Sequence, residues 1–337
     1  MLVDAALTTT DLHAVPEAAR GIESAGYDGI YSFEGGHDGF FPLLLAAEHT
    51  ERVQLTTAVV IAFARNPMTL AQSAYDLQLA SRGRFNLGLG TQIKPHIEKR
   101  FSMEWSKPVE RMREMVLAVR AIWARWHEGT KLDFRGDFYQ HTLMTPMFDP
   151  GPNPYGQAKI MLAGVGEMMT EVAGEVADGF LCHSFTTEQY LREVTLPALE
   201  RGRKKSGATM ADFEISGPAF VVTGATEEQM KQAAAGTRQQ IAFYGSTPAY
   251  RPVLEMHGWG DLQTELNRLS KQGKWQEMGT LIDDDILKTF AVVAEPEQVG
   301  AELSKRYGDV VSRISFYAPY RSDPERWSKV MGALKAA

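Results

Sequence analysis

Glu34, His37 and Asp38 lie within one five-residue stretch, Glu-Gly-Gly-His-Asp, directly after the apolar run Tyr27 to Phe33. A carboxylate and an imidazole at one strand end can move a proton. An unperturbed imidazole titrates at about 6.5, so His37 can both take and give a proton near neutrality. Glu34 could hold its other ring nitrogen and fix the tautomer. The same residues also allow a plainer reading, with His37 capping the helix that begins near Pro42 and Glu34 merely solvated. A second candidate is Ala163-Gly164-Val165-Gly166, placed between a strand and a helix. Its N–H groups and the helix dipole could hold a phosphate, although a bare tight turn would use the same glycines. A third is the strand end Gly88, Gly90, Thr91 and Gln92, followed by His96, where small and polar groups gather. No HExxH, CxxC, GxxxxGK or GxSxG occurs, and none of the eight histidines pairs with another at ligand spacing. That leaves no metal, P-loop or hydrolase-elbow signature. Cys182, inside an apolar strand, reads as core.

The positions of these candidates follow from the elements around them. Val53 to Val60 is β-branched, apolar and uncharged, as a strand covered on both faces should be. Asn66 and Pro67 then start a helix, the first as N-cap and the second at N1, where its missing N–H costs nothing. Leu70, Ala74 and Leu77 give that helix one buried face, Gly83 supplies a left-handed terminus, and Arg84 to Leu89 returns as a strand. Leu2 to Leu7 and Tyr27 to Phe33 are earlier strands, separated by a helix carrying Val15, Ala19 and Ile22 on one face. Such alternation predicts parallel strands with right-handed crossovers.

The pattern continues. Lys94 to Trp105 reads as a long polar loop. Met112, Met115, Val119, Ile122 and Trp126 mark a helix opened by Ser106 and Pro108, with a core-facing stripe. Residues 128–157, rich in proline and glycine, form an excursion. Strands are expected at Lys159 to Leu162, Phe180 to His183, Ile215 to Val222 and Val310 to Tyr317. Helices are expected over Thr187 to Lys205, bent at Pro197, from Thr226, and over Asp323 to Leu334. Residues 245–285 do not repeat the unit and read as an insertion at the seventh connection. Eight alternating strand–helix units make a (β/α)₈ TIM barrel over residues 1–337, a single domain, with a doubly wound sheet as the runner-up.

At 337 residues, with 44% apolar and 23% charged residues, the chain suits a globular enzyme. The net charge of -7 argues against a nucleic-acid surface, and one cysteine excludes an intramolecular disulfide framework and fits a reducing cytoplasm. No run approaches the ~20 apolar residues of a membrane span, and the first residues lack the basic region of a signal peptide.

The runs GYDGIYSFEGGHDGFFPLLLAAEHTERVQLTTAV and ARNPMTLAQSAYDLQLASRGRFNLGLGTQ resemble the bacterial luciferase-like flavin superfamily. HDGFFPLLLAAEHT and GTQIKPHIEKRF are most similar to its deazaflavin (coenzyme F420)-dependent oxidoreductase branch. MLAGVGEMMTEVAGEVADGF, LPALERG and FYGSTPAYRPVLEMHGWGDL extend the likeness over nearly the whole chain. The resemblance implies a homodimeric TIM barrel with an insertion after the seventh strand and the cofactor ring at the strands' carboxyl ends. It implies a non-prolyl cis peptide at Ala58-Val59 against the ring, phosphate contacts at Gly164, Val165 and Gly166, and acid/base work in the Glu34 to Asp38 loop. There the chain departs from the Asp-His pair of the family's sugar-phosphate dehydrogenases, because two glycines separate Glu34 from His37. The reading is an F420-dependent oxidoreductase that moves a hydride between the deazaflavin C5 and a small organic substrate. Its cofactor contacts would be Ala58, Val59, Thr91, Gln92 and Ala163 to Gly166. Trp105, Phe185 and Trp259 suggest a partly apolar substrate. The rivals are an FMN-dependent monooxygenase and a catalytically silent cofactor-binding barrel.

Overall fold

The computed structural model describes residues 1–321 and 324–336. Eight parallel strands close a barrel: β1 Leu2–Ala6, β2 Gly29–Ser32, β3 Gln54–Thr57, β4 Phe85–Gly90, β5 Lys159–Ala163, β6 Gly179–Leu181, β7 Glu214–Val222 and β8 Arg313–Tyr317. Pairing runs in order from β1 to β8, and β8 returns to β1 through Leu2↔Arg313 and Val3↔Ile314. This is a (β/α)₈ TIM barrel. Val3, Leu55, Leu87, Ile160 and Ile314 are fully buried between the sheet and its helices. Alternate residues point inward, where β1 contributes Asp4 and Ala6, and β8 contributes Arg313, Ser315 and Tyr317.

Local signals set most helix starts. Asn66, Thr187 and Thr226 each accept a hydrogen bond from the backbone N–H three residues on, and helices Pro67–Ala80, Glu188–Tyr190 and Glu227–Gly245 follow them. The expected stripe of Met112, Met115, Val119, Ile122 and Trp126 is buried along helix Pro108–Glu128.

Several expectations need correction. The third strand is not continuous to Val60. It stops at Thr57, bulges at a cis Ala58-Val59 peptide, and resumes as Val60–Ile61 against β4. Lys94 to Trp105 is not all loop, since Lys94–Lys99 is helical. The irregularity in the helix after Thr187 is not a bend at Pro197. It is a π-helical stretch, Leu191–Thr195, just before it, and Pro197 sits in the first turn of the α-helix that follows, Leu196–Lys205. Residues 128–157 hold a small antiparallel pair, Phe134–Arg135 with Gln140–His141. Between β7 and β8 the chain forms helices Glu227–Gly245, Arg251–Glu255, Gly260–Lys271, Trp275–Thr280 and Asp284–Phe290. A further parallel strand, Ala291–Val293, and helix Pro296–Tyr307 then complete the connection, and neither was marked by the sequence pattern. The last helix is Pro324–Ala336, and the expected start at Asp323 lies outside the described residues. Among the described residues no helix is long and apolar enough to cross a membrane.

Candidate active site

A cavity of about 1310 Å³ opens at the carboxyl ends of the strands and reaches down inside the barrel. TIM barrels usually fill this interior with branched apolar side chains. Here Thr56, Gly90, Ser216, Gly217 and Ser315 leave it hollow. Its floor is charged: Arg313 donates to both carboxylate oxygens of Asp4, at 2.9 and 2.5 Å, and Glu214 lies 4.0 Å from the same guanidinium. Gly29 makes room for this pair, because a Cβ there would sit 2.3 Å from Asp4 Oδ1. Burial pushes the carboxyl of Glu214 above its ordinary range.

One wall is the bulge after β3. Ala58 donates its N–H to the Ser32 carbonyl at 2.6 Å, and Glu34 donates its N–H to the Val59 carbonyl at 3.0 Å. The Glu34 carboxylate, only 8% exposed, accepts from the Ile61 N–H at 2.8 Å and from Arg65 Nη1 at 2.5 Å. Arg65 also reaches Asp38 at 2.7 Å. The glycines of β4 permit this approach. A Cβ on Gly90 would meet Val59 Cγ2 at 2.6 Å, and one on Gly88 would meet the Thr57 carbonyl oxygen at 1.7 Å. Ala58, Val59, Ile61 and Gly90 therefore present a flat, mostly apolar face to the cavity.

Ala163 to Gly166 lines the same cavity beside Thr91 and Gln92, which leave the end of the neighbouring paired strand and also line it. Gly164 lies where a Cβ would press on Met169, and Gly166, at φ +84°, turns the chain into helix Glu167–Val176. Among the described residues the N–H groups of Val165, Gly166 and Glu167 have no protein acceptor. A helix N-terminus with free N–H groups beside an apolar platform fits a phosphate-bearing planar cofactor. The side chain of Glu167 does not obstruct it, being paired with Arg201. Gln92 adopts φ +61°, and its own side chain accepts from the Ile93 N–H at 3.0 Å.

The proton pair expected from the sequence is not assembled. His37 is exposed and does not line the cavity, and Glu34, which does, spends its carboxylate on Arg65 and Ile61 rather than on an imidazole. His96 is exposed as well. Of the aromatic residues expected near a substrate, Trp105 lines the cavity, Phe185 is buried behind it, and Trp259 stacks on His257. Cys182 is not plain core: it lines the cavity partly buried, with burial pushing its thiol up to about 12.

Sequence reasoning missed the opposite wall. His183, just past β6, stacks on Tyr250 with ring centroids 4.8 Å apart and meets Tyr244 edge-on at 4.7 Å. The Tyr244 and Tyr317 hydroxyls are 3.0 Å apart. Tyr244, Thr247, Ala249 and Tyr250 all come from the β7–β8 connection. The run IAFYGSTPAY showed its aromatic composition and part of the family likeness, and neither says where it docks.

A sequence model of the luciferase-like monooxygenase family matches residues 2–313. The chain belongs to this family. It is 55% identical over 298 residues to an uncharacterised protein of Mycobacterium tuberculosis, with 88% of each chain covered. A second relative from that organism, a putative coenzyme F420-dependent oxidoreductase, is 27% identical over 309 residues, covering 86% of each. The structure of the coenzyme F420-dependent tetrahydromethanopterin reductase from Methanopyrus kandleri superposes with a TM-score of 0.78. It is 17% identical, over 98% of this chain and 96% of that one. In TIM-barrel enzymes the active site lies at the carboxyl-end face, where this cavity opens. Among the described residues no group of three or more His, Cys, Asp or Glu is placed to hold a metal ion.

Proposed function

We propose that the chain is an F420-dependent oxidoreductase that moves a hydride between the deazaflavin and a small organic substrate. The observation that carries this reading is a single cavity holding both parts of a cofactor site. An apolar platform at Ala58, Val59 and Gly90 would take the ring, and the free amides of Val165 to Glu167 would take the phosphate. When bound, the deazaflavin supplies the two-electron hydride chemistry. The residues of the chain bind and orient it. Glu34 and Arg65 hold the platform in register, and the glycine loop fixes the anion. Exposed Lys99 and Arg100, at the end of the helix that starts with Lys94 on the rim, would give the cofactor's acidic tail its counter-charges. F420-dependent relatives support the assignment at the level of the family.

FMN is the second reading, because the same platform and amides suit its ring and single phosphate and the family takes its name from monooxygenases. Titration of the purified protein with F420 and FMN, followed by fluorescence quenching, separates the two. Tight quenching by F420 with weak quenching by FMN is expected. Preferential FMN binding, with oxygen consumed during turnover, would replace the proposal with a flavin monooxygenase.

A further inference from the structure

We infer that His183 is a hydrogen-bond donor that selects uncharged, planar carbonyl compounds as substrates. The inference rests on the cavity being the reaction site of the proposed oxidoreductase. Three observations lead to it. The first is the tautomer. The Phe185 backbone N–H, which can only donate, points to His183 Nδ1 at 3.0 Å. Nδ1 is thus the bare nitrogen of the neutral ring, and the proton sits on Nε2. Burial keeps the ring neutral, holding its pKa down to about 4. Among the described residues Nε2 has no protein partner, and His183 lines the cavity. A donor of fixed polarity is left for whatever enters.

The second observation is shape. Tyr250 lies against the imidazole at 26° between planes, and Tyr244 closes its edge. Trp105, Val109 and Ile61 add apolar surface elsewhere in the cavity. Such walls favour a flat, conjugated molecule.

The third is charge. Among the described lining residues Glu34, Glu167 and Asp4 are each engaged by an arginine, and Arg313 is engaged by Asp4. Lys94 pairs with Glu98 at 3.7 Å on the rim. Among the described lining residues neither cation, Lys94 nor Arg313, is left unpaired to receive a carboxylate or phosphate on the substrate. A neutral donor opposite apolar walls matches a carbonyl oxygen, which accepts without carrying charge. The Nε2–H would hold that oxygen and orient the carbonyl carbon toward the Ala58-Val59 platform.

Three probes test this by quenching of the protein's own fluorescence, with and without F420: 2-acetonaphthone, 2-ethylnaphthalene and 2-naphthoate. The parent protein should bind the ketone about tenfold more tightly than the hydrocarbon, a difference of about 1.4 kcal/mol, and should bind the carboxylate weakest. His183→Phe keeps the stacking face and should erase the preference of ketone over hydrocarbon. His183→Gln, whose amide nitrogen reaches near the position of Nε2, should retain it. A ketone preference that survives in His183→Phe, or tight 2-naphthoate binding by the parent, overturns the inference. So does a parent protein that binds none of the probes. If the probe pattern holds while F420 fails to quench any variant, the cofactor reading falls and the role of His183 stands.

Discussion

The two walls of the cavity are built by different physics. The platform wall joins segments close in sequence, Ser32 to Asp38 and Ala58 to Arg65, through backbone hydrogen bonds and the two carboxylate–guanidinium pairs that Arg65 makes with Glu34 and Asp38. The aromatic wall gathers His183, Tyr244, Tyr250 and Tyr317 from strand ends and an insertion, and holds them by ring packing and one hydroxyl contact. Directional bonds fix the first wall in one geometry, as the proposed seat of a planar ring requires. Stacked rings tolerate exchange of one aromatic group for another, so the second wall can vary with substrate while the first is kept. On the proposed reading, cofactor recognition lies on the bulge after β3 and the loop after β5, and substrate recognition on His183 and the β7–β8 connection.

The largest expected effect comes from breaking the platform. Arg65→Leu strands the carboxylate of Glu34 in a site only 8% exposed. Removing one partner of a buried pair typically costs about 3–5 kcal/mol, and the partial exposure of Arg65 puts this case near about 3 kcal/mol. A urea unfolding midpoint unchanged from the parent would show that the pair does not hold the bulge. Glu34→Gln, which keeps the shape and an acceptor for the Ile61 N–H, should cost less.

Next in size is the phosphate cradle. Val165→Asp places a carboxylate beside the free amides without altering either glycine, and Val165 is 40% exposed, so folding should survive. F420 binding should weaken more than about tenfold, roughly 1.4 kcal/mol. Equal quenching curves for parent and variant would move the phosphate to another site.

On the aromatic wall the expected effect is a pH dependence. His183 has its pKa lowered from 6.5 to about 4 in the folded protein. Below pH 6.5 the unfolded chain takes up a proton that the folded chain refuses, so stability falls with pH until about 4 and then levels off. One such group contributes at most about 1.4 kcal/mol per pH unit. His183→Gln should flatten the stability profile over that interval, as read by thermal melts at stepped pH. A profile identical to the parent's would mean the imidazole is not buried neutral.

The smallest expected effect belongs to His37. Exposed and away from the cavity, it can be exchanged for asparagine with turnover within about threefold of the parent. Since a positioned base is worth ~10²–10⁴-fold, a loss of that order with F420 affinity intact would restore the proton role that its strand-end position suggested.

The barrel was legible in the sequence because each unit announces itself locally. Asn66-Pro67, Thr187 and Thr226 cap helices through side chains acting three residues away, and β-branched runs alternate with amphipathic ones whatever the rest of the chain does. The glycine loop at 163–166 and the bulge at Ala58-Val59 were legible too, the first from its place between strand and helix, the second through family resemblance. The extra strand Ala291–Val293 was not, because three residues carry no period and the strand exists only by pairing with the end of β7. His37 misled for a related reason. Position along the chain places a residue at a strand end, but the direction of a side chain there depends on which partners its neighbours find, and Arg65, on another element, claims Glu34 and Asp38 together. His183 became visible only once folding stacked Tyr250 upon it and turned the Phe185 N–H to its Nδ1. The sequence by itself determined the repeating unit and the strand ends that open on the cavity. The tertiary structure alone decided which side chains face that cavity, because facing is settled by contacts between segments dozens of residues apart.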